Sequence, residues 1–443
     1  MPSLLRRFFY LRPMQFSTVI GQEQTKQHLA EMVSQNRLSH ALLFLGKEGS
    51  GALAMALAFS QYILCEKIKP AQKASLSEQE PSLFGDGITT TPDSRLLTQD
   101  LELTAPDSCG ICPSCQKARQ LIHPDIHFTY PVITKKAGTA PVSTDYITEW
   151  REFIKNNPYG NVYDWLQFIG AENKQGNITA AECSDIIRKL NLKSYEGGHK
   201  ILVLWMPEYL EKEGNKLLKL IEEPPPDTLF ILVAENESLI LPTIISRCQL
   251  VKLAPLDTSA VSTALVERAK LLLEQARQIA SVCDGNYREA LQIIQHAEED
   301  WQSMLRDWLN AILKTGPIAQ VKWVEETAKL GREKQKQFLR YFNHLLEQAI
   351  HVRVDEMRVI KNKVGEDTNL TNTNNGIGIA PNEIDFANRL NKIADLAQQQ
   401  AIIEELDKAT YYIERNANGK MLFQALTIKL YHIIADKSLF LVR

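Results

Sequence analysis

The stretch that decides the fold runs over residues 46–53 and reads Gly46-Lys47-Glu48-Gly49-Ser50-Gly51-Ala52-Leu53. Phosphate-binding loops of the form GxxxxGK[ST] place backbone N–H groups around the phosphates, a lysine on the β- and γ-phosphates and a hydroxyl on Mg²⁺. Gly46 and Gly51 keep the glycine spacing, but Ala52 holds the lysine position and Leu53 the hydroxyl position. The sequence therefore predicts a nucleotide-binding fold that does not itself hydrolyse nucleotide.

Short apolar runs on both sides of this loop predict a parallel β-sheet. Central strands of such sheets are buried on both faces, so they are short and continuously apolar or β-branched. Helical patterns separate these runs, and Pro224-Pro225-Pro226 ends the helix predicted over residues 210–223. The alternation predicts an α/β domain over residues 14–254. Its candidate strands are Ala41–Leu45, Ile126–Tyr130, Ile201–Trp205, Leu229–Val233 and Gln249–Leu253.

The rest of the chain has helical patterns only. We expect a helical lid over residues 255–314 and an all-α domain over residues 315–443. In the all-α domain, apolar residues between Phe338 and Ile350 form one wide helix face. We expect this face to be exposed and to pack against other subunits, because an apolar surface of this kind needs a partner.

Two stretches interrupt the predicted α/β domain. Residues 69–106 are rich in Ser, Thr, Gln, Asp and Pro and have the composition of a solvated insertion. Residues 135–177 combine Gly and Asn with several aromatic residues. Aromatic side chains can stack on nucleic-acid bases, but in a small insertion they more often pack its own core. We therefore expect these side chains to be buried.

Composition and charge limit the functions open to this chain of 443 residues. A hydrophobic content of 44% and a charged content of 23% are those of a globular protein. The net charge of −3 gives no overall attraction to nucleic acid, so any DNA contact must be local or shared with partners. No apolar run approaches the roughly 20 residues that span a bilayer, and we expect a cytoplasmic protein without membrane contact.

The first 13 residues place Arg6, Arg7 and Arg12 among apolar side chains, without the long apolar core or the cleavage site of a secretory signal. We expect an extra upstream start or a frayed tail before Met14, and a mitochondrial address is the alternative. Without a secretory signal, clustered cysteines indicate a metal site rather than disulfides.

Three of the seven cysteines form such a cluster, Cys109-x-x-Cys112-x-x-Cys115. Structural Zn²⁺ is held tetrahedrally by four ligands, and a Cys-x-x-Cys turn brings two sulfurs to one ion. The cluster supplies three ligands, so the fourth must come from elsewhere in the chain. Four ligands leave no open position, so the ion would be structural rather than catalytic.

A second catalytic feature is also missing. P-loop ATPases carry acidic residues after an apolar strand, where they hold Mg²⁺ and prepare the attacking water. Here the strand Ile201–Trp205 is followed by Met206 and Pro207, and the first acid is Glu208. The alternative is that this strand is not the metal-bearing one.

Four further stretches, in this order, resemble the clamp-loader subunits of bacterial DNA polymerase III, a family of AAA+ proteins, and most closely the delta-prime type. The resemblance covers residues 14 to about 295 strongly and the C-terminal part, including Arg415-Asn416-Ala417-Asn418, more weakly. It implies an AAA+ domain followed by a helical lid and a helical collar domain that joins the subunits. The four stretches are Phe16–Gln22, Arg37–Phe44, Asn215–Pro225 and Leu241–Cys248.

The resemblance also implies roles for single residues. Arg247, in the triplet Ser246-Arg247-Cys248, would be an arginine finger that stabilises charge on ATP bound by a neighbouring subunit. An ordinary surface ion pair is the alternative role for Arg247. Arg288 stands where related motor subunits carry a second nucleotide-sensing arginine. Without a working loop, we expect Arg288 to cap or pair structurally.

The resemblance makes Cys65 the expected fourth zinc ligand, since the family places its first zinc cysteine just after the P-loop helix, and His123 is the alternative. The implied function is a non-catalytic subunit of the DNA polymerase III holoenzyme that needs no ATP of its own. It would assemble with gamma or tau motor subunits and with delta, and would meet the sliding clamp and primer–template DNA through the assembly. The alternatives are an active gamma/tau-type ATPase and a zinc-containing nucleic-acid adaptor.

Overall fold

The computed structural model describes residues 15–68, 107–135, 138–171, 174–196, 198–295, 301–364, 381–414 and 417–435. Residues 1–13, the polar insertion over 69–106, and Arg415 and Asn416 lie outside the described residues. The chain forms two compact units, of which the first ends at Gln292 and the second begins at Ile293.

The first unit is built on a sheet of five strands in the order β2-β3-β4-β1-β5, and every neighbouring pair is parallel. Each strand lies within one residue of its predicted bounds, so the predicted AAA+-type parallel sheet is confirmed. Because all strands point the same way, the loops after β1, β3 and β4 meet at one edge of the sheet. The strands are β1 (Ala41–Gly46), β2 (Ile126–Thr129), β3 (Lys200–Trp205), β4 (Thr228–Ala234) and β5 (Gln249–Leu253).

Helices pack on this sheet and beyond it. Every residue of the helix after the loop, α2, is buried, and α2 packs against β1, β3 and β4. The helices are α1 (Glu23–Ser34), α2 (Ala52–Leu64), α3 (Pro113–Arg119), α4 (Ile147–Asn156), α5 (Val162–Phe168), α6 (Ala180–Leu190), α7 (Leu218–Glu222), α8 (Pro242–Ile245), α9 (Thr258–Ala269), α10 (Leu273–Val282) and α11 (Tyr287–Gln295). Short 3₁₀ segments add Phe16–Thr18, Ser143–Tyr146, Pro207–Leu217 and Glu237–Leu239.

Most of the aromatic side chains of the second insertion form a core, as expected, but Phe168 is 38% exposed. Trp150, Phe153 and Trp165 are fully buried, and the Trp150 ring stacks on Tyr130 at a centroid distance of 4.0 Å. The same ring lies 5.2 Å from the ring of Trp205, the last residue of β3. The insertion is therefore packed onto the strand end where an ATPase would carry its acidic residues.

The secondary-structure elements of the second unit are all helices among its described residues. Its helices are α12 (Trp301–Asn310), α13 (Pro317–Ala328), α14 (Arg332–Val364), α15 (Pro381–Ile393), α16 (Leu396–Glu414) and α17 (Gly419–Ile434), with a π-helical turn over Ala311–Thr315. The apolar face predicted on α14 is present, but the prediction that this face is exposed is wrong. Phe338, Phe342, Leu345 and Leu346 are completely buried, because residues of α12, α13, α15, α16 and α17 share one core with them.

The chain divides earlier than the lid boundary expected after residue 314. Helix α12 falls in the predicted lid, yet its Trp308 stacks on Trp323 of α13 at a centroid distance of 4.5 Å and belongs to the core of the second unit. Among the described residues, no helix is long and apolar enough to cross a membrane.

Candidate functional site

The phosphate-binding loop keeps its glycine backbone. Gly49 and Gly51 have φ values of +74° and +88°, which side chains disfavour, and α2 begins directly after the loop. A Cβ atom on Gly46 would lie 2.5 Å from the Ser50 hydroxyl, so that position also needs glycine. The residues that replace the lysine and the hydroxyl, Ala52 and Leu53, are buried at 8% and 5% exposure. The loop therefore has the shape of a phosphate cradle, with apolar side chains at the two positions that carry chemistry.

Little space remains above this loop. The cavity there holds about 20 Å³, room for one or two water molecules, whereas small-molecule sites usually measure roughly 300–1,000 Å³. Pro158, Tyr159 and Gly160 of the insertion line one side of it, and Trp205 and Met206 line another.

The strand end without acids is also packed. Trp205 and Met206 are 2% and 6% exposed. The first acid, Glu208, accepts hydrogen bonds from the backbone N–H groups of Glu235 and Asn236 at 2.7 and 2.9 Å, and burial raises its pKa. Glu208 therefore caps the end of β4, and it is not among the residues that line the cavity.

Arg288 pairs within the chain, as expected. Its guanidinium donates to Glu48 of the loop at 2.7 Å and to Asp164 of α5 at 2.5 and 2.6 Å, and its side chain is only 3% exposed. The sequence prediction did not include these two partners, because they lie 240 and 124 residues away.

The expected arginine finger lies just after α8. The Arg247 side chain is 32% exposed. Its Nε donates to Glu222 at 2.6 Å, and its Nη1 donates to the Thr243 carbonyl oxygen at 2.6 Å and to the Ser246 hydroxyl at 3.4 Å. Glu222, the last residue of α7, was not recognised from the sequence. Nη2 also pairs with Glu222, so all three guanidinium nitrogens have partners within the chain, as the alternative role in a surface ion pair would require, while part of the side chain stays open to solvent.

The four expected zinc ligands come together. The sulfur atoms of Cys65, Cys109, Cys112 and Cys115 all lie within 4.8 Å of one another. The Cys109 and Cys115 sulfurs are 3.9 Å apart, which matches the edge of about 3.8 Å of a tetrahedron with Zn–S bonds of about 2.3 Å. The four sulfurs are therefore close enough together to hold one metal ion, which is compatible with a structural Zn²⁺.

Backbone N–H groups support the same sulfurs. The amides of Cys109, Cys112 and Cys115 donate to the preceding sulfurs of the group at 3.3–3.5 Å, which stabilises thiolates. Desolvation acts to raise the pKa of Cys109, but N–H donation from Ile111 and Cys112 brings that pKa down to about 6. Burial raises the pKa of Cys115.

His123 has other partners. Its Nδ1 accepts from the Asp125 backbone N–H at 3.2 Å, and its Nε2 lies 3.2 Å from a carboxylate oxygen of Glu196. His123 is thus not part of the sulfur cluster, which includes Cys65, and the geometry favours Cys65 as the fourth ligand.

Several known proteins are similar to this chain. A family model described as "DNA polymerase III, delta subunit" matches residues 21–80 and 86–257, just over half of the chain. The chain is 24% identical to DNA polymerase III subunit delta' of Bacillus subtilis (strain 168) over 278 residues, 62% of this chain and 60% of that protein. It is 24% identical to subunit tau of the same organism over 345 residues, 76% of this chain and 47% of that protein.

A further relative covers more of its own length. Subunit delta' of Escherichia coli (strain K12) is 23% identical over 327 residues, 73% of each chain. The two Bacillus relatives are matched over only 47% and 60% of their lengths. A solved gamma subunit-related protein of Thermotoga maritima aligns over 92% of this chain with 14% identity and a TM-score of 0.34, and the fold assignment does not depend on it. The family match and the delta' relatives place this chain among the DNA polymerase III clamp-loader subunits, as a member of the delta-prime type.

Proposed function

We propose that this chain is a non-hydrolysing subunit of the DNA polymerase III clamp loader, which supplies Arg247 in trans to ATP on a neighbouring motor subunit. The observation that carries the proposal is the contrast between two sites of one unit. The nucleotide loop has lost its lysine and hydroxyl and has about 20 Å³ of space above it, whereas the Arg247 side chain is 32% exposed. An arginine that reaches transferring phosphate from a second subunit is worth about 10³–10⁵ in turnover in other NTPases.

Within such an assembly, Ser246 would support the finger through its hydroxyl, which lies 3.4 Å from Arg247 Nη1. The partners would be the gamma or tau motor subunits and delta, and the chain would meet the sliding clamp and primer–template DNA through them. The location of this work would be the cytoplasm. The four cysteines would hold one structural Zn²⁺, which would tie the start of α3 to the end of α2 and supply no catalytic chemistry.

The test is the steady-state ATPase of a loader assembled from this chain, its motor subunit and delta, with clamp and primed DNA present. Arg247→Ala is expected to leave assembly intact and to lower turnover at the neighbouring site about 10³-fold. Arg277→Ala is the matched control, because Arg277 is an exposed arginine of α10. Unchanged turnover with Arg247→Ala would refute the finger role.

A second candidate is an active ATPase of the gamma/tau type, because the Bacillus tau relative covers the largest share of this chain among the relatives described above. Calorimetry with Mg·ATP on the isolated chain separates the two candidates. Micromolar affinity would favour the second candidate, and the absence of binding heat the first.

A further inference from the structure

We propose that the nucleotide site of this unit is a binding site for the chain's own second insertion, in which residues 158–164 take the place of a nucleotide. This inference rests on the proposed function and deepens it. The first observation that supports it is the position of Tyr159. The Tyr159 side chain is 5% exposed, and a Cβ atom on Gly51 would lie 2.8 Å from the edge of its ring. The phenol oxygen accepts the Ile20 backbone N–H at 2.9 Å. The ring is therefore packed directly on the second glycine of the loop and fixed there by a buried hydrogen bond.

The second supporting observation is a network of charged side chains that joins three parts of the unit. Glu48 lies in the loop, Asp164 in the insertion and Arg288 at the start of α11. Arg288 bonds both carboxylates, and the carboxylate side chains are only 18% and 23% exposed. Asn161 adds a hydrogen bond from its amide to Glu48 at 3.1 Å and forms a reciprocal capping pair with Asp164.

This network uses the groups that would otherwise meet a phosphate. Two carboxylates share one guanidinium, so the network carries a net charge of about −1. A phosphate in the loop would have to compete with them for Arg288 and would lie beside Glu48, where like charges repel in a partly buried site. The insertion therefore excludes nucleotide by charge as well as by volume.

The same contacts fix the lid helices to the loop. The Tyr159 ring packs edge-on against Tyr287 with centroids 5.0 Å apart, and the Tyr287 backbone N–H donates to the Gly49 carbonyl oxygen at 3.4 Å. Asn286 approaches Gly49 so closely that a Cβ atom there would lie 1.9 Å from its side-chain oxygen. The position of α11 on the loop is thus set by the chain itself and does not depend on a bound nucleotide.

Hydrogen exchange of the full chain, read by mass spectrometry with and without saturating Mg·ATP, tests this inference. Asp164→Asn and Tyr159→Ala are expected to speed amide exchange about tenfold in two segments, the loop over residues 47–51 and α11. Glu152→Gln is the matched control, because Glu152 is an exposed acid of the same insertion. Mg·ATP is expected to leave exchange of the unchanged chain as it is.

Three results would overturn the inference. The first is unchanged exchange in both segments with either variant. The second is an equal acceleration of amide exchange in all five strands, since the insertion's contacts with the loop would then support the whole fold rather than this site. Arg288→Lys, which keeps the charge, is a milder variant for the same comparison. The third is protection of the loop by Mg·ATP in the unchanged chain. If the first result is found while Arg247→Ala still lowers loader turnover, this inference fails and the proposed function stands.

Discussion

Replacement of Cys65 by serine tests the four-cysteine site most directly. Zinc binds comparable sites in peptides with about 10–16 kcal/mol at neutral pH. The four sulfurs are within 4.8 Å of one another, so each is placed to carry a similar share of this free energy. One share is roughly 3 kcal/mol, and its loss corresponds to about a 100-fold weaker affinity for zinc.

The assay is zinc content by mass spectrometry, followed by competition against a chelator of known affinity. The unchanged chain is expected to hold one zinc ion, and Cys65→Ser is expected to release it at about 100-fold lower chelator concentration. Cys248→Ser is the matched control, since Cys248 is outside the cluster. Unchanged zinc retention by Cys65→Ser would refute the role of Cys65, and loss of zinc from His123→Ala would then identify the ligand.

Three more predictions follow from contacts in the first unit. Glu222→Ala should lower loader ATPase turnover about tenfold, because Glu222 orients Arg247. The double variant with Arg247→Ala should be no slower than Arg247→Ala alone. A further loss of turnover in the double variant would show that Glu222 does not act through Arg247. Burial, and to a smaller extent the nearby charge of Lys189, lowers the pKa of His127 to about 4. The free energy of unfolding should therefore fall by up to about 3 kcal/mol as the pH falls from about 6.5 to about 4. Chemical unfolding of His127→Gln should lack this part of the pH dependence, and a pH profile like that of the unchanged chain would contradict the prediction. The double variant Ala52→Lys with Leu53→Thr should still give no binding heat with Mg·ATP, because the space above the loop remains filled.

Local sequence patterns predicted the strands of the sheet correctly but predicted one helix incorrectly. The five strands were predictable because a strand buried on both faces must be continuously apolar, whatever surrounds it. The single helix predicted over residues 210–223 is instead a 3₁₀ segment with a break at Glu211, where φ is +45°, followed by α7. Gly214 packs so closely on Ile244 that a Cβ atom would lie 2.9 Å from the isoleucine side chain. That contact comes from α8, so no local pattern contains it.

The same limit explains the other differences. The apolar face of α14 predicts that other protein atoms cover it. It does not predict whether those atoms belong to another subunit or, as found, to helices of the same unit. The cysteine spacing predicted most of the sulfur cluster, because three of its four cysteines lie within seven residues. Glu48, Asp164 and Arg288 gave no such signal, since their pairing depends on a fold that joins positions more than 100 residues apart.

The glycines of the loop have a meaning in this chain that does not require phosphate. In a working site, glycine lets the backbone approach the phosphates. Here Gly49 lies against Asn286 of the segment before α11, and Gly51 lies against Tyr159 of the insertion, both at distances that no side chain would permit. The loop can therefore lose its lysine and hydroxyl without losing its need for glycine, because protein atoms occupy the approaches that the nucleotide would use. Under the proposal that the site is filled from within the chain, the changed motif and the retained glycines have one physical explanation.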